Sequence, residues 1–258
     1  MFGASKTVMK VLNSTDILKF MDREFVKFYK SETEILKKAT LSDILEKKNP
    51  YLLKTKNVAL VHDLVVGALD AFLSSSEEKI FGDFLEELAI FISERTCGGR
   101  KSPATGIDLE FENEGTRYLV SIKSGPNWGN NAQHRRQEQD FQAAVRVLRQ
   151  SRRNVNIEPV LGICYGKVRT SHLRGYLKVV GQNFWCLISG EKKLYTDIIE
   201  PIGYRAKQHN NAFLKQKDKV VNLFTQQFLD EFCEEGAINW KKLVEFNSGN
   251  FDLNKHHV

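Results

Sequence analysis

The chain has 258 residues, and its 38 Lys and Arg exceed its 32 Asp and Glu by a formal net charge of +6. No apolar run approaches the roughly 20 residues that cross a bilayer, and the N-terminus lacks the pattern of a signal peptide. The four cysteines are far apart, without metal-ligand spacing, which excludes zinc ribbons and disulfide frameworks and favours a cytoplasmic location. The excess of positive charge suggests an anionic partner.

Residues 1–76 predict an N-terminal helical layer without recognisable chemistry. An N-cap cluster at residues 13–16 precedes apolar residues at helical spacing, and a second apolar helix is expected over residues 58–73. No linker rich in Pro or Gly separates this layer from the following chain. We therefore expect it to pack on the rest of the protein as part of one compact unit.

Residues 77–189 predict an α/β core, followed by a helical region at 190–258. A helix from 77 to about 95 ends at a Cys-Gly-Gly stop signal. Two alternating segments then surround an Asn-Glu-Gly-Thr turn, which predicts a β-hairpin. The expected elements after the hairpin are a helix, two strands and further helices, over residues 131–151, 159–165, 176–180 and from 183 onward.

The hairpin separates its side chains into two chemically different faces. If the turn is centred between Glu114 and Gly115, Asp108 opposes Ser121 on the neighbouring strand. One face is apolar, and the other carries Asp108, Glu110, Glu112, Arg117, Ser121 and Lys123. A solvated strand face accounts for this pattern. The alternative is a site where Asp108 binds a hard cation such as Mg²⁺ and Lys123 orients a nucleophilic water.

This arrangement resembles the PD-(D/E)xK nuclease superfamily, specifically the type II restriction endonucleases. Their active-site hairpin carries an Asp and then an acid-x-Lys, here Asp108 and Ser121-Ile122-Lys123. Other short segments resemble the dimeric enzymes that cut interrupted GG…CC sites; these are Ser-x-Lys-x-Gly, Gly162 to Gly166, Gly181 to Trp185, and Trp240 to Leu243. The resemblance covers about 77–258 and leaves 1–76 unmatched. It departs at Ser121, where a second acid is expected.

The resemblance implies a restriction-endonuclease-like core, in which a central mixed sheet is flanked by helices, with helical layers at both ends. It implies a type II restriction endonuclease that uses Mg²⁺ to cut double-stranded DNA at a short palindromic sequence. A homodimer and a companion DNA methyltransferase, as a functional partner, are also implied. Two alternatives stay open: a repair or junction nuclease of the same fold, and a catalytically inactive DNA-binding protein.

The carboxylate that is missing at Ser121 is expected from a helix. On the helix at 77–95, the apolar arc places Glu87 at its margin and turns Glu86 to the far side. Asp83 and Glu94 share that margin, so periodicity alone does not choose among the acids. The Gly-x-x-x-x-Glu pattern of the resembled enzymes favours Glu87. An ordinary solvent-facing Glu is the alternative.

Two further acids are candidates for the same site. Glu138 lies fifteen residues after Lys123 on the next helix, a spacing that several Ser-x-Lys enzymes use for their acid. It also fits an ion pair with a nearby Arg. Glu110 shares a strand face with Asp108 and is an expected auxiliary metal ligand.

Basic and amide side chains outside the hairpin are candidates for DNA binding. Arg135, Arg146, Arg149 and Arg153 share one helical sector, which suits phosphate contacts beside the site but also an exposed charged face. Two polar loops are candidates for reading base edges. Their residues are Asn127, Asn130 and Asn131 in the first, and Lys167, Arg169, His172 and Arg174 in the second.

Overall fold

A computed structural model of the chain describes residues 9–151, 155–173 and 175–251. Its helices are α1 (Ser14–Lys38), α2 (Leu41–Glu46), α3 (Pro50–Thr55), α4 (Val61–Thr96), α5 (Asn131–Ser151), α6 (Gln182–Ser189), α7 (Leu194–Asp197), α8 (Ile199–Phe232) and α9 (Trp240–Ser248). Its strands are β1 (Arg100–Lys101), β2 (Leu109–Asn113), β3 (Thr116–Lys123), β4 (Asn156–Ile163), β5 (Ser171–Leu173), β6 (Tyr176–Val180), β7 (Cys233–Glu234) and β8 (Ala237–Ile238).

Packing divides the chain into two compact units, each assembled from two segments. The first contains Met1–Phe25 and Ile80–Lys207, and the second contains Val26–Lys79 and Gln208–Val258. The division by sequence into 1–76, 77–189 and 190–258 follows chain order and stays a prediction. The helices expected at 58–73 and 77–95 are one continuous helix, α4, because the serines between them do not interrupt it. No helix in the described ranges is long and apolar enough to span a membrane.

The first unit contains a six-stranded mixed sheet in the order β1-β2-β3-β4-β6-β5. Strand β3 pairs in parallel with β4, and β4 pairs in parallel with β6, whereas the outer pairs are antiparallel. Helix α5 connects β3 to β4, as parallel neighbours require. The predicted α/β fold with a central mixed sheet is confirmed. Strands β1 and β5 were not predicted from the sequence, and β4 begins earlier than predicted.

The predicted hairpin and its register are confirmed. Glu110 pairs with Leu119, and Glu112 pairs with Arg117. The turn residues Glu114 and Gly115 have φ values of 48° and 76°. Two consecutive residues with positive φ give a turn whose twist matches the strands, so this turn sets the register.

The middle of the hairpin's polar face is buried, while Glu112 at one end is exposed and Asp108 and Lys123 at the other end are partly accessible. Helix α5 lies over this face through Phe141 and Ala144, which pack with Leu119 and Leu161 in one apolar cluster. Among the polar side chains of this face, Ser121 is fully buried and Arg117 is 8% exposed. A charge in the buried part of this face therefore needs a protein partner or a ligand.

The second unit is helical apart from the β7–β8 hairpin in its described part. Its core joins α2 and α4 to α8 and α9 through apolar side chains that include Leu69, Phe228 and Leu243. The side-chain amide of Asn247 donates to the backbone oxygens of Leu45, Glu46 and Lys48, at 2.9, 3.1 and 3.0 Å. That contact satisfies carbonyl groups at the C-terminal end of α2.

Asparagine side chains cap several helices. The Asn49 oxygen accepts from the Leu52 amide at 3.1 Å, and Pro50 occupies the first turn of α3. The Asn130 oxygen likewise accepts from the amides of Ala132 and Gln133, at 3.1 and 3.0 Å. These bonds satisfy donors that a helix leaves unpaired. The Asn130 oxygen is thus used to begin α5.

Candidate active site

Asp108 and Lys123 meet at one end of the hairpin. Asp108 directly precedes β2 and Lys123 ends β3, and the Lys123 Nζ lies 3.9 Å from the Asp108 Oδ2. The same oxygen accepts a hydrogen bond from the Ile122 amide at 2.6 Å. Both side chains are partly accessible, at 22% and 25% exposure for Asp108 and Lys123. The convergence that the register predicts is therefore present in the fold.

An aromatic ring lies against the Lys123 ammonium. The Lys123 Nζ is 5.3 Å from the centre of the Trp128 ring, a cation–π distance. Trp128 is itself held edge-on by His134, with 4.9 Å between ring centres. This loop was predicted from the sequence to read base edges. The contact between Trp128 and Lys123 was not predicted, because strand and helix periods do not extend into a loop.

Of the two adjacent acids on α4, Glu86 is less exposed than the expected ligand Glu87. The Glu86 carboxylate is 28% exposed and interacts electrostatically with Asp108 and Lys123, whereas Glu87 is 51% exposed. The expected orientation of the two side chains is corrected by the burial of Ala89 and Ile90, which are 0% and 4% exposed. These residues widen the buried arc of α4 toward Glu86. The period of α4 alone does not identify this acid.

The surroundings of Glu86 disfavour its negative charge. Burial raises the pKa of Glu86, and the Asp108 charge raises it further, against the lowering effect of Lys101 and Lys123. Lys101 is a second residue that the sequence did not predict here. Its Nζ lies 3.4 Å from Glu87 and 3.9 Å from Glu86.

The donor set fits a hard cation. Two carboxylates that repel one another supply oxygen atoms, which are the ligands that Mg²⁺ prefers, and Mg²⁺ keeps several waters of its own. In the described ranges, no group of three or more His, Cys, Asp or Glu side chains is arranged to hold a metal ion. A magnesium site here would therefore rest on two protein carboxylates, those of Asp108 and Glu86.

Glu110, the expected auxiliary ligand, is engaged by two arginines. Its Oε1 accepts from the Arg100 Nε at 2.6 Å and its Oε2 from the Arg117 Nη2 at 2.9 Å. Burial acts to raise the pKa of Glu110, but the hydrogen bonds and charges of Arg117 and Arg100 outweigh it and lower that pKa. Glu112 also pairs with Arg117, at 3.1 Å.

Ser121 contacts an amide on α5, and not the alternative acid Glu138 of the same helix. The Ser121 Oγ lies 3.0 Å from the Gln137 Oε1 and 3.4 Å from the Asp108 Oδ2. Glu138 is one residue further along the helix and interacts electrostatically with Tyr176. The structure thus brings Gln137, and not Glu138, to the Ser121 hydroxyl.

The residues that the sequence proposed for DNA binding fall at two places in the first unit. Those in the loops that follow β3 and β4, together with the start of α5, are exposed; they are Asn127, Asn130, Asn131, Arg135, Lys167 and Arg169. Arg149 and His172 instead line a cleft of about 980 Å³ with Arg146. Arg149 lies about 21 Å along α5 from Arg135, so the arginine row does not stay beside Lys123. Arg153 and Arg174 lie outside the described residues.

Two of the short motifs hold the end of β4 beside Lys123. A Cβ atom at Gly162 would lie 2.3 Å from the Phe184 ring, so only glycine allows the ring to pack there. The Trp185 indole donates to the Cys164 oxygen at 2.9 Å. The Cys164 amide in turn donates to the Lys123 oxygen, also at 2.9 Å. These contacts explain the spacing of the two motifs.

A protein-family model described as the type II restriction endonuclease EcoO109I matches residues 15–210, which is more than half of the chain. The match includes most of the N-terminal layer that the resemblance left unassigned, and it stops before the segment at Trp240. No curated protein matches the sequence.

Proposed function

Since this chain belongs to the family of the type II restriction endonuclease EcoO109I, we propose that it uses Mg²⁺ to cut both strands of DNA at a short palindromic sequence. Family membership makes the protein a site-specific deoxyribonuclease that acts on DNA. A site of the interrupted GG…CC type fits both the family and the motifs quoted above. The observation that carries the proposal is the 3.9 Å approach of Lys123 to Asp108, beside a partly buried Glu86.

Each group of the site has a separate role in the proposed hydrolysis. Asp108 and Glu86 would hold the magnesium ion, which supplies charge neutralisation and acidifies a water when bound. Lys123 orients the attacking water and stabilises the negative charge that grows on the phosphate in the transition state. The ring of Trp128 limits where the Lys123 ammonium can lie. The Ser121 hydroxyl is buried and takes no part in bond breaking.

The proposal includes the partners that the resemblance implies. Two-fold symmetric DNA and the cutting of both strands suit a homodimer with one active site for each strand. A companion DNA methyltransferase would protect the same sequence in the cytoplasm of the host. The exposed residues Asn127, Asn131, Arg135, Lys167 and Arg169 supply amides and positive charges for contacts with bases and phosphates.

The direct test is cleavage of plasmid DNA by the purified protein with Mg²⁺. We expect discrete fragments, and we expect Lys123→Ala to lower the cleavage rate by about 100-fold or more while DNA binding is kept. Lys241→Ala is the matched control, because Lys241 is 87% exposed on α9 and pairs only loosely with Glu245, at 3.8 Å. Smeared products, a preference for branched DNA, or no cutting with either Mg²⁺ or Mn²⁺ would each count against a sequence-specific enzyme.

A further inference from the structure

Gln137 is a buried polar side chain on α5 that contacts the segment before Asp108 and the strand opposite it. It is 5% exposed. Its Nε2 donates to the Gly106 oxygen at 3.1 Å, and its Oε1 lies 3.0 Å from the Ser121 Oγ. One amide therefore joins three parts of the first unit: α5, the segment before β2, and β3.

The direction of these bonds follows from their donors. The carbonyl of Gly106 can only accept, so the amide nitrogen of Gln137 must face it. The Gln137 oxygen then faces Ser121, and the single hydroxyl proton of Ser121 is donated to Gln137. The Asp108 Oδ2 then has the Ile122 amide as a hydrogen-bond donor and the Lys123 ammonium as an ion-pair partner at 3.9 Å.

The segment before Asp108 is seated directly on α5. Gly106 has a φ of +74°, and a Cβ atom there would lie 2.4 Å from the Asp140 carboxylate. The next residue, Ile107, is 4% exposed and belongs to the apolar cluster that contains Phe141. The part of α5 that runs from Gln137 to Phe141 thus holds the two residues that precede Asp108.

We propose that Gln137 is a positioning residue for the hydrolysis proposed above: it holds the backbone that carries Asp108 in place through Gly106, and it ties that backbone to β3 by accepting the Ser121 proton. The inference rests on the proposed function for its catalytic consequence. A glutamate could not replace Gln137, because a carboxylate has no proton to donate to the Gly106 oxygen and would add negative charge near Asp108. The amide is required for its donor and is not a substitute for an acidic ligand.

The test compares Gln137→Met, Gln137→Glu and the control Gln139→Met, whose side chain is exposed on the same helix. We expect Gln137→Met to lower the single-turnover cleavage rate about tenfold or more, because small displacements at reacting groups are costly. DNA affinity without divalent cations should stay within about twofold, since Gln137 is not a contact for DNA. Gln137→Glu, which is nearly isosteric, should cleave more slowly still. Cleavage faster than wild type by Gln137→Glu would overturn the inference.

A second measurement does not depend on cleavage. Amide hydrogen exchange in the metal-free protein, followed by NMR, should be faster at Ile122 in Gln137→Met and unchanged in Gln139→Met, because the Ile122 amide donates to Asp108. Unchanged exchange together with wild-type cleavage would refute the role of Gln137. If the wild type does not cut DNA, the proposed function fails, and the exchange at Ile122 alone decides whether Gln137 holds Asp108.

Discussion

The choice between two adjacent acids decides the chemistry of the site at the scale of single residues. Glu86 and Glu87 follow one another on α4 and differ only in direction. The Glu86 carboxylate interacts electrostatically with Asp108 and Lys123. The Glu87 carboxylate is more exposed, and its Oε1 lies 3.4 Å from the Lys101 Nζ. A carboxylate with a raised pKa that lies near a second carboxylate is a better candidate for a cation ligand than an exposed one.

Exchange of each acid for its amide separates the two. We expect Glu86→Gln to lower the rate of Mg²⁺-dependent cleavage by about 100-fold and to raise the Mg²⁺ concentration needed for half-maximal rate. Glu87→Gln should change both by less than about threefold, since its partner is an exposed lysine. Titration of the initial rate against Mg²⁺ checks both expectations. A larger effect of Glu87→Gln than of Glu86→Gln would assign the role of magnesium ligand to Glu87.

At the scale of elements, β1, β2 and β3 are joined by charges as well as by their ladders. Glu110 on β2 and Arg117 on β3 form a pair whose side chains are 6% and 9% exposed, and Arg100 on β1 completes it. The pKa of Glu110 is lowered in the fold. Its stabilising contribution is therefore present above the unfolded pKa of about 4.5 and is lost as the pH falls through the lower folded pKa.

Removal of one buried partner should be costly for this reason. We expect Glu110→Gln to reduce the free energy of unfolding by about 3 kcal/mol at neutral pH, because the buried Arg117 charge loses its buried partner and keeps only the exposed Glu112. Glu112→Gln is a matched control, since Glu112 bonds to the same guanidinium at 3.1 Å but is 51% exposed, and it should cost less than about 1 kcal/mol. Urea unfolding followed by circular dichroism measures both. Equal losses would show that the burial of Glu110 is unimportant.

For the whole molecule, stability is expected to depend on pH between acid and neutral values because of a buried acid in the second unit. Glu32 on α1 is 5% exposed. Its burial, and then the charge of Glu77, raise its pKa from 4.5 to about 7. Tyr29 lies in the same negative field, which adds to the effect of burial in raising its own pKa. The folded protein therefore binds a proton that the unfolded chain releases between about pH 4.5 and 7.

A raised acid pKa makes stability fall as the pH rises through that window. We expect Glu32→Gln to unfold with a free energy higher than wild type by on the order of 2 kcal/mol at pH 8, with little difference below pH 4.5. Glu34→Gln on the same helix is the control, because Glu34 is 46% exposed and pairs with Lys37. Thermal or urea unfolding at several pH values gives the comparison. Parallel pH profiles for wild type and Glu32→Gln would contradict the burial effect.

The sequence by itself determined the hairpin, its register and the meeting of Asp108 with Lys123, because strand alternation and a short turn are local properties. It also determined the crossover helix at residues 131–151. Only the tertiary structure decided that Glu86 interacts with the Asp108 charge, that Glu110 is held by arginines, and that Gln137 reaches Ser121. Those choices depend on which sides of α4 and α5 are covered by the sheet, and the packing of distant segments is not encoded in the period of any one of them.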